Sequence, residues 1–175
     1  MRKLLILLFI VVVSQSGCTI KLKSGKKTTG TIPDFIMGDF QYTSYDNNGK
    51  REWVLKSSEA KMFDASSEIY LFNLTMTFYN PNNVIQSFLS SDEGYVNKKS
   101  KNVSASGNVK IFAENGAVLS SKKVYWDNTR KLFYTETNEQ VTLEKGKTII
   151  KGYKMKADSG LKQVQIQDVI GVIKK

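Results

Sequence analysis

From Phe35 onward, apolar and polar positions alternate with a period of two, interrupted by short polar turns. Phe40 to Tyr45 alternates, and Asp46-Asn47-Asn48-Gly49 then turns the chain into Trp53-Val54-Leu55, which reads as a buried strand. Ser58 to Phe63 fits either a short helix, with Ala60 and Phe63 inward, or another strand. The strand is favoured, because its counterparts at Val124 and Met155 lie in β patterns. Glu68 to Tyr79 is dense in β-branched and aromatic residues, closes at Asn80-Pro81-Asn82-Asn83, and returns through Val84 to Leu89. Gly107 to Phe112 rises to Asn115-Gly116, a strong hairpin signal. Further strands are expected at Val124 to Trp126, Leu132 to Tyr134, Val141 to Leu143 and Thr148 to Ile150. A last one carries Val164, Ile166, Ile170 and Val172 on one face, with Asp168 interrupting it. The reading is an all-β, antiparallel domain.

The pattern also repeats. Leu119-Ser120-Ser121 to Asp127 is echoed 31 residues later by Ile150-Lys151-Gly152 to Asp158, and Leu89-Ser90-Ser91 precedes it by 30. A weaker copy starts at Val54-Leu55-Lys56-Ser57-Ser58. Units of about 30 residues, each expected to be two short strands around a polar turn, cannot bury an apolar face alone and must stack.

The first residues change the picture of where this domain works. Arg2 and Lys3 precede the apolar run Leu4 to Val13, too short for the ~20 residues a membrane-spanning helix needs. Ser14-Gln15-Ser16-Gly17 then leads to Cys18, an arrangement resembling a bacterial lipobox, with Gln15 where an aliphatic residue is usual. The expected division is a lipoprotein-type signal over 1–17, a lipidated Cys18 with a basic tether over 18–33, and the β domain over 34–175. A plain secretory signal with an incidental cysteine is the alternative. The formal charge is +10 and favours anionic partners. There is no histidine and a single cysteine, so disulfides within the chain, Ser-His-Asp and Cys-His chemistry, and His-ligated zinc are excluded. The carboxylates scatter over turns, so no catalytic residue, metal or cofactor is expected.

Asp46-x-x-Gly49, Trp53-x-Leu55, Ala60-x-x-Phe63, Phe78-Tyr79, Leu89-x-Ser91-x-x-Gly94, Gly107-Asn108-Val109, Leu119 to Asp127, and Lys151-Gly152 to Ala157-Asp158 follow one another in an order that resembles the LptC family. That family is the membrane-anchored periplasmic part of lipopolysaccharide export, within the OstA-like superfamily that includes LptA. The resemblance implies a twisted, boat-shaped β-jellyroll, an open V-shaped trough whose apolar interior takes acyl chains. It implies a periplasmic carrier at the inner membrane, receiving lipopolysaccharide or lipooligosaccharide from the jellyrolls of an ABC transporter and passing it to an LptA-like bridge. Trp53, Leu55, Phe63, Phe78, Val109 and Ile111, with Val124, Trp126, Val141, Leu143 and Met155, are the candidate lipid lane. An ordinary closed core is the other account of the same residues. Phe40 and Tyr42 at one end, and Val164, Ile166, Ile170 and Val172 at the other, are the candidate partner edges, and Gly152 a point of close backbone approach or a bulge. A scaffold lipoprotein that binds no lipid is the alternative function. Nucleic acid, which charge and aromatics alone allow, is disfavoured by export.

Overall fold

The computed structural model describes residues 32–63 and 67–174. The expected signal, Cys18 and most of the tether lie outside the described residues. Among the described residues, twelve strands form one antiparallel, unclosed sheet. They are β1 (Phe35–Tyr45), β2 (Arg51–Met62), β3 (Glu68–Tyr79), β4 (Ile85–Asn97), β5 (Val103–Ala113) and β6 (Ala117–Asp127), then β7 (Leu132–Tyr134), β8 (Val141–Lys145), β9 (Thr148–Gly152), β10 (Lys156–Asp158), β11 (Val164–Gln165) and β12 (Gly171–Lys174). No helix among the described residues is long and apolar enough to cross a membrane.

The first six strands are 11 to 13 residues long, not the short pairs expected from the repeat. Each is interrupted near its middle, and these interruptions line up. Pairing skips or shifts at Asp39, at Ser57 and Ser58, at Asn73, at Ser91 and Asp92, and at Gly107 and Asn108, ending beside Ser121 and Lys122. Asp39, Asn73, Gly107 and Asn108 have positive φ there, a conformation open to Gly and tolerated by Asn and Asp. The even strands use a different device. Ser57, Ser91 and Ser121 each donate Oγ–H to the carbonyl two residues on, at 3.1, 2.9 and 3.2 Å. The repeated Leu-x-Ser is therefore a crease across the sheet and not a turn.

The crease divides the sheet into two arms. Arm 1 holds the first halves of β1, β3 and β5, the second halves of β2, β4 and β6, and then β7, β10 and β11. Arm 2 holds the complementary halves, followed by β8, β9 and β12. The sheet forks at β6, which pairs with β7 beyond the crease and β8 before it. The inner faces of the arms meet. Phe78 of arm 2 touches Trp126 and Phe133 of arm 1, with ring centroids 4.6 and 5.0 Å apart, although three strand pairings separate β3 from β6. Ser87 Oγ donates to Ser159 O at 2.5 Å, and Asn115 Nδ2 to the carbonyls of Gly160 and Leu161 at 3.3 and 3.2 Å. One hydrophobic core fills the space between arms.

The turns are set by Asx side chains. Asp46 Oδ1 accepts from the amides of Asn48 and Lys50, and Asn80 Oδ1 from those of Asn82 and Val84. The expected single last strand is not formed. Val164 and Gln165 pair with β10 in arm 1, whereas 171–174 pair with β9 in arm 2. Between them Asp168 turns away, its carbonyl accepting from Tyr153 N and its carboxylate pairing with Lys154 at 2.9 Å. A polar residue in an apolar alternation marks a strand that changes partner.

Candidate functional site: an apolar lane between the arms

In arm 2, directly paired inward residues run from one sheet edge to the other: Tyr42, Leu55, Met76, Leu89, Ile111, Leu119, Leu143, Ile150 and Val172. In arm 1 a second line crosses in the same way: Phe35, Met62, Ile69, Val96, Val103, Trp126, Phe133, Ala157 and Val164. Every residue in both lines is apolar or aromatic. Residues directly opposite in an antiparallel pair share a face and stand ~4.5–5.5 Å apart, so each line is a continuous apolar track.

The tracks are sealed in the middle and open at the ends. Leu55, Met76, Ile111 and Leu119 have no exposure. Beyond β6 the arm 2 line loosens through half-buried Leu143 and Ile150 to Val172, 55% exposed on the edge strand. Exposed Lys145, Lys147 and Lys151 lie on the hairpin and strand at that end. At the opposite edge Tyr42 is half-buried, tilted against Trp53 at 5.4 Å, and Phe35 is exposed.

Of the expected lane, Leu55, Ile111 and Leu143 stand in the arm 2 line and Trp126 in the arm 1 line. Trp53, Phe78, Val109, Val124, Val141 and Met155 are buried in the same core. Phe63 is not among them. Its ring packs edge-on against outward-facing Tyr70 at 5.7 Å, because the bulge at Ser57 and Ser58 switches inward positions from odd to even along β2. Met76, Leu89, Leu119 and Ile150 were missed, although the repeat marks three of them: Leu89, Leu119 and Ile150 are its corresponding positions.

The two outer edges are unlike. Among the described residues β1 pairs only with β2 and has no strand on its other side, with Ile36 and Met37 exposed near its start; Phe40 and Tyr42 pack against the core. The far edge is split between β11 and β12. Val164 and Ile166 are packed against the core, while Ile170 and Val172 are exposed. Gly152 lies under the strap joining these strands, where a Cβ would stand 2.5 Å from Ile166 Cγ2 and 2.8 Å from Asp168 O.

A model of the family described as lipopolysaccharide-assembly, LptC-related, matches residues 4–173. The chain belongs to this LptC-related family. No curated protein matches it. LptC proteins act in lipopolysaccharide transport in the cell envelope, at the inner membrane and periplasm, and the creased, unclosed sheet with an apolar interior agrees with the jellyroll trough expected from the resemblance. Among the described residues no three His, Cys, Asp or Glu side chains stand together to hold a metal.

Proposed function

We propose that this chain carries lipopolysaccharide or a related glycolipid by its acyl chains, laid along the tracks between the two arms. The supporting observation is the graded arm 2 line, shut at Leu119, half-open at Leu143 and Ile150, and exposed at Val172. An acyl chain starts at the open end and advances by parting the arms, each methylene taken from water contributing about 0.8 kcal/mol. Lys145 and Lys147 offer cations to the lipid A phosphates by charge-assisted hydrogen bonds. Glycolipid arrives from the transporter's jellyrolls paired along β1 and leaves to an LptA-like bridge paired on β12, both by strand addition to a free edge. Lipidated Cys18 and the basic tether hold the domain at the periplasmic face of the inner membrane.

The sealed middle of the core favours a second reading, a scaffold that uses its edges and binds no lipid. A photo-crosslinker in the full chain separates them, placed at Leu143 or Ile150 with Ser120, on the outer face of arm 2, as control. Under the carrier reading lipopolysaccharide crosslinks at the first two positions and lipid A competes while phospholipid does not. No crosslink at either position in folded protein leaves the scaffold.

A further inference from the structure

The outer face of arm 1 departs from the polar surface an antiparallel sheet usually turns to water. Tyr70, Tyr95, Ser104, Tyr125 and Tyr134 are directly paired in one row across β3 to β7. Tyr70 is 43% exposed and the other three tyrosines are half-buried. Tyr70 and Tyr95 lie 6.0 Å apart at 46°, and Tyr125 and Tyr134 stack at 5.1 Å and 15°. The two pairs flank one intervening strand, with the backbones of β4 and β6 about 10 Å apart on either side of β5. Ser104 lies between the pairs, beneath the surface. It is 1% exposed, and its Oγ is the one buried side-chain oxygen or nitrogen among the described residues with no hydrogen-bond partner.

We propose that this tyrosine row, with Ser104 at its centre, is a saccharide-binding platform. A sugar ring has an apolar C–H face and a rim of hydroxyls, and tyrosine matches both, an apolar body with a polar tip. The rim around the row carries donors and acceptors of both signs. Glu136 accepts from Tyr125 Oη at 2.5 Å, Lys123 Nζ stands 4.8 Å from the Tyr125 ring centroid, Lys156 lies opposite Tyr134, and Glu93 is exposed in the neighbouring row. Mixed charge and phenols disfavour a lipid surface, which takes aliphatic side chains and cations. Cross-strand aromatic pairs stabilise any sheet, but that role gives no reason for an unpaired hydroxyl between them. A saccharide hydroxyl, or its water, entering between Tyr95 and Tyr125 supplies the missing partner. The platform extends the carrier reading to the sugar part of the same glycolipid, on the opposite side of the sheet from the lane.

The test uses the full chain and two probes: the oligosaccharide released from lipopolysaccharide, which has no acyl chains, and lipid A, which lacks that oligosaccharide. Tyr70→Ser, at an exposed position, and Tyr95→Leu, which keeps apolar bulk, each weaken oligosaccharide binding about three- to tenfold and leave lipid A binding unchanged. Ile150→Arg does the reverse. A folded chain that binds no oligosaccharide, or binds it equally well in both tyrosine variants, overturns the platform. An unsubstituted chain that binds the oligosaccharide but not lipid A would overturn the lane alone.

Discussion

Trp53 donates its indole N–H to Asn128 Oδ1 at 3.0 Å, joining the start of β2 to the turn after β6 across 75 residues of chain. Trp126 Nε1 reaches the same oxygen at 3.3 Å. Both indoles are buried, at 0% and 4% exposure, so one amide satisfies two buried donors. Asn128→Ala leaves both without a partner and is expected to cost about 1–3 kcal/mol. The urea midpoint should fall with an unchanged m-value; an unmoved midpoint would show that water replaces the amide.

Two glycines test different kinds of strain. Gly152→Ala forces a Cβ onto Ile166 Cγ2 and the fixed carbonyl of Asp168, and overpacking of this kind costs about 1–3 kcal/mol. It should loosen the strap and raise amide exchange at Ile170, whose N–H bonds Lys151 O. Gly116→Ala meets no atom but sits at φ +78°, so it costs about 1 kcal/mol from backbone alone and leaves Ile170 exchange as it was.

The lane separates stability from transport along its own length. Ile111→Ala, at 0% exposure, opens a cavity and costs about 2–5 kcal/mol. Ile150→Arg, at the loosened end, shifts stability by about 1 kcal/mol or less yet should remove lipopolysaccharide crosslinking from Leu143. Retained crosslinking in a folded Ile150→Arg protein would exclude this end as the mouth.

Alkaline titration probes the outer face. Burial, and then the hydrogen bond to Glu136, raise the Tyr125 phenol above its ordinary 10.0. The hydrogen bond to Tyr125 raises Lys123 above its ordinary 10.5. Both groups hold their protons more tightly folded than unfolded, so their contribution is complete below about pH 10 and is lost as pH climbs through the raised folded values. The stability difference between wild type and Tyr125→Phe should be constant at neutral pH and shrink above pH 10. A difference that stays flat into that range would show that the phenol is not coupled to folding.

Much of this was legible in the residues. Alternation gave antiparallel strands, the Asx and Gly positions gave the turns, and most of the expected lane lies in the core. What escaped was parity. At Ser57-Ser58, Ser91-Asp92 and Ser121-Lys122 the inward positions change from odd to even, and a pattern carried past these points puts Phe63 on the wrong side. The same bulges disguised a crease as a turn, since serine and glycine serve both. The split of the last strand rests on tertiary pairing with β9 and β10, which local pattern does not encode. The tyrosine row is invisible in sequence because its members lie on four strands.

The crease has one more consequence, which concerns who sets the angle of the hinge. β1 crosses it as a single strand and belongs to both arms, while at the other edge arm 1 ends on β11 and arm 2 on β12. A neighbour added along β1 therefore pairs with both covers of the book at once, and one added on β12 pairs with a single cover. The molecule is bound along one side only, and so its two edges offer a partner unlike surfaces.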